Sequence, residues 1–256
     1  MSEPIRLAVV APNGRMGAQV ARLADADANF EVVARIVPAG ETGGVLLDQV
    51  DGGAVDAMVD FSHFSAAIEH AKWCADHEVA LVLGTTGLTA DMQNAVERAA
   101  TRTCVFQASN FSIGVALLAD LAAKAARVLG TDTDVEIVES HHHHKVDSPS
   151  GTAITLGKAV ADARGQVYED VAVDGRSGNV GARPKGQIGM HALRLADIVG
   201  RHSVHFGWPA EGLTLSHEAR DRAVFAAGAL RAAAFAHKTR AAGQVGLLSM
   251  RDLLAD

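Results

Sequence analysis

The chain has 256 residues, enough for one large or two modest domains, each with its own core. Hydrophobic residues make up 48% and charged residues 21%, the balance of an ordinary soluble globular protein. A net charge of −7 with no basic stripe argues against a nucleic-acid partner. Apolar stretches are all broken by charge before the roughly 18 residues that a membrane-spanning helix needs, so no membrane association is expected.

The N-terminal MSEPIRLAVV has neither a basic leader nor a cleavage site, so it does not read as a signal peptide. Cys74 and Cys104 are the two cysteines and lack CxxC spacing, which predicts free thiols in a reducing compartment. A cytoplasmic location is the expectation.

Ile5 to Ala11 (IRLAVVA) reads as a buried strand, followed by Pro12-Asn13-Gly14-Arg15-Met16-Gly17 and then by helical spacing from Ala18 to Ala26. Strand, glycine turn and helix form the context in which a dinucleotide fingerprint carries meaning. Gly14 would let the backbone approach a pyrophosphate, and Gly17 would let helix and strand pack closely. The first glycine of the usual pattern is replaced by Ala11. A second strand is predicted from Glu31 to Val37. An acid that holds the adenosine ribose usually stands about twenty residues after the turn. That count lands on Val37-Pro38, and Glu41 falls in the next loop. With no acid to repel it, a 2′-phosphate is less disfavoured, and Arg15 or Arg35 could neutralise it. Either NADPH or NADH fits, with a lean to NADPH.

Ala54 to Phe61 reads as a third strand, Ser65 to His77 as an amphipathic helix, and Val79 to Leu83 as a fourth strand. The fourth ends in Gly84-Thr85-Thr86-Gly87, either a nicotinamide contact or a tight turn before the helix Ala90 to Ala100. A fifth strand, Thr103 to Ala108, leads into Ser109-Asn110-Phe111-Ser112. This alternation predicts an α/β fold with a Rossmann-like doubly wound parallel sheet.

The organisation then changes. A long helix, Gly114 to Leu129, precedes a short strand, Val135 to Val138. After the helix Ile154 to Ala163 comes a polar, glycine-rich passage, Arg164 to Gly186, in which residues 175–186 suit a mobile loop or lid. Gln187 to Leu195, Ile198 to Phe206 and Gly212 to Ala219 read as consecutive strands of an open, largely antiparallel sheet in a second, α+β domain. The helix Ala223 to His237 and the tail Leu247 to Leu254 are expected to return to the first domain.

Between the strand and the helix lies VESHHHHKVDSPSGTA, residues 138–153. Histidine exchanges protons near neutrality, and lysine supplies a positive point charge. Backbone N–H groups at Ser150-Gly151-Thr152 would point out of a helix N-terminus, a place that attracts carboxylates. The combination describes a pocket for a small di-acid with a proton donor beside it. No metal is expected: adjacent histidines on an extended segment point to opposite faces, so at most two of the four could serve one ion.

The block containing Glu139, His141, His142, His144-Lys145, Asp147 and Pro149-Ser150-Gly151-Thr152-Ala153 closely resembles the signature of the 4-hydroxy-tetrahydrodipicolinate (dihydrodipicolinate) reductase family of lysine and diaminopimelate biosynthesis. The Gly14–Gly17 turn, Asp60-Phe61-Ser62, the Gly84–Gly87 turn, Asn110–Gly114 and Ile198-Val199-Gly200 extend the resemblance along nearly the whole chain. It implies an oxidoreductase that reduces a cyclic imine bearing two carboxylates with NADPH or NADH, a related nicotinamide-dependent amino-acid dehydrogenase being the alternative. It implies a dinucleotide-binding domain of residues 1–111 and 223–256. Residues 112–222 would bind substrate and build a homotetramer through an open mixed sheet. His141 looks like the catalytic acid and Lys145 its partner; His142, Ser150, Gly151 and Thr152 look like substrate contacts. Ala11, Pro12, Asn13, Gly14, Arg15, Met16, Gly84, Thr85, Thr86, Ala108, Ser109, Asn110 and Phe111 look like cofactor contacts.

Overall fold

In the computed structural model, which describes residues 3–256, the chain forms two compact units. One runs up to Ile113 and resumes at Arg222–Asp256; the other is Gly114–Asp221.

The first unit is a six-stranded sheet of β1 (Ile5–Val10), β2 (Phe30–Ile36), β3 (Ala57–Asp60), β4 (Ala80–Leu83), β5 (Cys104–Gln107) and β11 (Gly246–Leu248). The strands are all parallel, in the order β11-β5-β4-β3-β1-β2. Central β3, up to its terminal Asp60, and β4 are apolar runs buried on both faces, whereas edge strand β2 alternates. Period-two geometry divides the sheet into two cores. Leu7, Val9, Val59, Val82 and Phe106 meet α1 (Arg15–Asp25) and α7 (Ala223–Ala241). Ala8, Val10, Met58, Leu81 and Val105 meet α2 (Ala67–Asp76) and α3 (Ala90–Ala99). Helices on both faces make the sheet doubly wound, and the strand order reverses between β1 and β3, where such sheets bind their ligands. The tail adds a strand, because Gly246–Leu248 pairs with Cys104–Phe106.

The second unit holds α4 (Ile113–Leu129) from its second residue, β6 (Asp134–His141), α5 (Gly151–Ala163), α6 (Tyr168–Val171), β7 (Ala172–Asp174), β8 (Ile188–Arg194), β9 (Gly200–Trp208) and β10 (Glu211–Ala219). The chain closes with α8 (Met250–Ala255) in the first unit. The second sheet runs β10-β9-β6-β8-β7. It is mixed rather than largely antiparallel, since β6–β8 and β7–β8 are parallel. Leu118, Ala122 and Ala126 of α4 and Leu156 and Val160 of α5 pack on Val135, Ile137, Ile188, Val204 and Phe206.

Two departures from the sequence reading matter. Strand β6 continues three residues past Val138, because the polar Glu139–His141 segment still pairs with β8 and β9. The passage Arg164 to Gly186 contains α6 and β7, and Arg176 and Arg183 of its loop form ion pairs with Glu136.

Candidate active site

The core face of β6 reads Val135, Ile137, Glu139, His141, so the apolar stripe ends in an acid and a histidine on the same side. Glu139 is fully buried, and His141 is 9% exposed. His141 Nδ1 lies 2.5 Å from Glu139 Oε2. Arg194, paired across the ladder with His141, forks onto Glu139: Nη1 donates to Oε2 at 3.0 Å and Nη2 to Oε1 at 2.9 Å. The Ser150 N–H adds a further bond to Oε1 at 3.1 Å. Burial alone would push the Glu139 carboxyl up; the bonds from Arg194 and His141 outweigh it and hold the group below its ordinary range.

Ser150 caps α5, its Oγ accepting from the Ala153 N–H at 3.2 Å. His202 on β9 stands opposite Glu139, 3% exposed, with Nε2 3.1 Å from Ser150 Oγ. Its ring meets that of His141 edge to face, 5.1 Å between centroids. Burial first, then the neighbouring His141, lowers the His202 pKa to about 4. Gly200 keeps the other edge of His141 open; a Cβ there would sit 3.2 Å from Nε2.

Past the strand, backbone bonds from His142 to Ile198 and from His143 to Ala196 tie the histidine run to the turn before β9. Lys145 Nζ pairs with Asp147 Oδ1 at 2.8 Å, the lysine side chain 20% and the aspartate 56% exposed. That hydrogen bond lowers the Asp147 pKa. Helix α5 has no acid in its first turn, and a Cβ on Gly151 would meet nothing within 4 Å, so its mouth is open to an anion. His141, Ser150 and Glu139 are thus gathered in one hydrogen-bonded cluster; Lys145 pairs with Asp147, whose carbonyl Arg194 also holds at 2.7 Å.

In the first unit, Ala11, Asn13 and Gly14 line a cavity of about 720 Å³ together with the end of β2, Glu41 and the segment after β3. It lies beside β1 and β3, where the strand order reverses. Helix α1 starts at Gly14 with no side-chain cap and no acid in its first turn, which leaves its N–H groups to an anion. At Gly17 a Cβ would run into the Ala11 carbonyl, so helix and turn touch backbone to backbone. Ala11 adopts the left-handed φ of 52° that its missing glycine would take without strain. These features fit a dinucleotide phosphate.

Pro12, Arg15 and Met16 belong to the same turn but do not line that cavity. Gly84, Thr85 and Thr86 follow β4; Ala108, Ser109, Asn110 and Phe111 follow β5; both groups stand at strand carboxyl ends, outside the cavity. Gly84 leaves room for the Phe61 ring, Thr85 Oγ1 donates to the Ser62 carbonyl at 3.1 Å, and the Asn110 side chain accepts from Ser112 N–H. Phe111 is core: its ring meets Phe61 edge-on and lies tilted against Phe106, and its carbonyl packs against Gly228 of α7, so the residue is buried in the first unit. Arg35 is held by Asp25 at 2.7 Å, which removes one support for the lean to NADPH. Arg194 and His202 carry no mark in the sequence; Glu139 stands in the signature block, and its i−2 spacing from His141 puts it on the same face of the strand.

The family described as dihydrodipicolinate reductase matches through its N-terminal part over residues 5–111 and its C-terminal part over residues 114–254. A 4-hydroxy-tetrahydrodipicolinate reductase of Psychrobacter arcticus is 44% identical over 200 residues, 78% of this chain and 70% of that one. One of Acinetobacter baumannii is 38% identical over 252 residues, covering 92% of each. A dipicolinate-bound dihydrodipicolinate reductase from Paenisporosarcina sp. TG-14 superposes with a TM-score of 0.77 at 25% identity, over 96% of this chain and 97% of that one. A diaminopimelate dehydrogenase of C. glutamicum, at 12% identity and a TM-score of 0.57 over 97% of this chain and 93% of that one, shares the fold alone. This chain belongs to the dihydrodipicolinate reductase family.

Proposed function

We propose that the chain reduces 4-hydroxy-tetrahydrodipicolinate to tetrahydrodipicolinate in lysine and diaminopimelate biosynthesis, taking hydride from a reduced nicotinamide dinucleotide and one proton, and releasing the 4-hydroxyl as water. The observation that carries this reading is the buried Glu139–His141 pair set beside the capped N-terminus of α5.

The unit built on β1–β5 and β11 holds the dinucleotide, with Ala11–Met16 at the phosphates and Gly84–Thr86 and Ala108–Phe111 along the remainder. When bound, the cofactor supplies hydride to the ring. Gly114–Asp221 binds the substrate. Ser150, Gly151 and Thr152 present the helix mouth to one carboxylate, and His142 and Lys145 hold the other. The Lys145–Asp147 pair is half open to solvent, where an ion pair is worth little, so a substrate carboxylate can displace Asp147. With Nδ1–H committed to Glu139, His141 delivers its proton from Nε2, on the edge that Gly200 leaves clear. Lys145 stabilises the negative charge that develops before protonation. The chain acts in the cytoplasm as a homotetramer. Helices α4 and α5 cover one face of the second sheet, and we assign the other face, with its Ser203–Ser216 and His205–Thr214 pairs, to the subunit interface.

The test generates the imine in place with its synthase and follows nicotinamide absorbance. Imine-dependent oxidation of the cofactor, insensitive to chelator, is expected. Oxidation of aspartate or a similar amino acid with NAD(P)⁺ instead would assign the chain to the related dehydrogenases.

A further inference from the structure

The cavity beside the Gly14 turn bears on which nicotinamide the chain takes. At the end of β2, where an acid for the adenosine ribose usually stands, the chain has Val37 and Pro38. It does not lack the acid; it brings one from further along. The loop after β2 folds back on itself and is closed at its base: Val37 N–H donates to Val45 O at 3.0 Å, and Val45 N–H to Arg35 O at 2.9 Å. Gly44 allows this closure, because a Cβ there would collide with the Arg35 carbonyl. Inside the loop the Glu41 N–H donates to Pro38 O at 3.1 Å. The Glu41 side chain reaches the glycine turn, where Asn13 Nδ2 donates to its Oε2 at 3.1 Å and to the Thr42 carbonyl at 3.1 Å. Glu41 and Asn13 both line the cavity.

The charges around that cavity point the same way. Its acids are Glu41, Asp48 and Glu69, and neither lysine nor arginine lines it. Arg35, on β2, is committed to Asp25 through both carboxylate oxygens. His70 is committed to the buried Asp60 at 2.7 Å, and His63 Nδ1 to Ser65 Oγ at 2.9 Å. A ribose with two free hydroxyls can donate to a carboxylate; a 2′-phosphate in the same place meets like charge with no lysine or arginine in the lining to offset it, Arg15 of the same turn standing outside that lining.

We propose that Glu41, pinned by Asn13, selects NADH over NADPH by accepting the adenosine ribose hydroxyls and repelling a 2′-phosphate. The inference rests on the proposal that the first unit binds a reduced nicotinamide dinucleotide.

The test is equilibrium binding of NADH and of NADPH to the purified full chain, read by nicotinamide fluorescence without substrate. Wild type should bind NADH at least about tenfold more tightly than NADPH, and the ratio should shrink as salt is raised. Glu41 is exposed, so Glu41→Gln should fold normally and bring the two affinities within about threefold of each other, mainly through tighter NADPH binding. Equal or tighter binding of NADPH by wild type would overturn the proposal. So would a ratio that persists in Glu41→Gln, or one that collapses in Glu69→Gln or Asp48→Asn but not in Glu41→Gln. Failure to bind either nucleotide would overturn the dinucleotide reading itself; binding of both without discrimination overturns this inference alone.

Discussion

His141 Nδ1 stands 2.5 Å from Oε2 of Glu139, a carboxylate with no exposed surface that also takes both arms of the Arg194 guanidinium. The arrangement orients the imidazole and commits Nδ1, leaving Nε2 for the proton transfer proposed above. Glu139→Gln keeps the volume but strips the charge. It should cost roughly 3 kcal/mol of stability, because Arg194 loses its partner in a largely buried place. Turnover should fall about tenfold to hundredfold through misorientation of His141, with the affinity for reduced cofactor unchanged. Denaturant melts, nucleotide binding and the split between kcat and KM check the three parts separately.

Lys145 is the group whose removal should touch both binding and chemistry. A charge-assisted hydrogen bond to a carboxylate is worth about 1.5–3 kcal/mol, so Lys145→Ala should lower kcat/KM roughly tenfold to hundredfold. KM for the imine should rise and kcat fall in the same variant. Asp147→Asn, which frees the ammonium from its resting partner, should not raise that KM.

Gly200 is predicted to matter through space rather than backbone freedom. The Cβ of Gly200→Ala would lie 3.2 Å from His141 Nε2, within the working edge of the ring. Turnover should drop while thermal stability and nucleotide affinity stay close to wild type. Steady-state rates beside a thermal melt decide it, and full activity would place the working edge elsewhere.

Two acid-side windows of instability are expected, from different groups. His202 has a folded pKa of about 4 against 6.5 in the open chain, so the unfolded state takes up a proton first as pH falls. Stability is present above pH 6.5 and is lost between there and about pH 4, on the order of 3 kcal/mol for one fully titrating histidine. Glu136 has its carboxyl lowered from 4.5 to about 2: burial raises it, but bonds from Arg176, His191 and Arg183 outweigh that. Its contribution is present above pH 4.5 and is lost as pH falls towards about 2. Urea unfolding across pH should show His202→Gln flattening the upper window alone, and Glu136→Gln the lower.

Much of the first unit was legible because its strands are short apolar runs and its helices carry helical spacing. β3 and β4 are buried at every position, which is what an unbroken run such as Ala57–Val59 signals. The end of β6 was less legible. Glu139, Ser140 and His141 are polar, so hydrophobic patterning stops at Val138, while the ladder with β8 and β9 carries the strand on. The β6–β8 pairing, which makes the second sheet mixed, joins segments about fifty residues apart and leaves no local mark. The same distance hides Arg194 and His202, which reach Glu139 and Ser150 only once β8 and β9 flank β6. Glu41 shows a third limit: counting along the chain stops at Pro38, but a loop closed at its base returns the acid to the glycine turn.

The most direct test of the account is the initial rate of cofactor oxidation with the imine generated in place, for wild type and for His141→Gln. Wild type should consume reduced nicotinamide only when imine is supplied. The variant should bind nucleotide normally and turn over about 10²–10⁴ times more slowly, the usual value of a positioned proton donor. A His141→Gln enzyme running at the wild-type rate would contradict the assignment, and a wild type that leaves the imine unreduced would contradict the function itself.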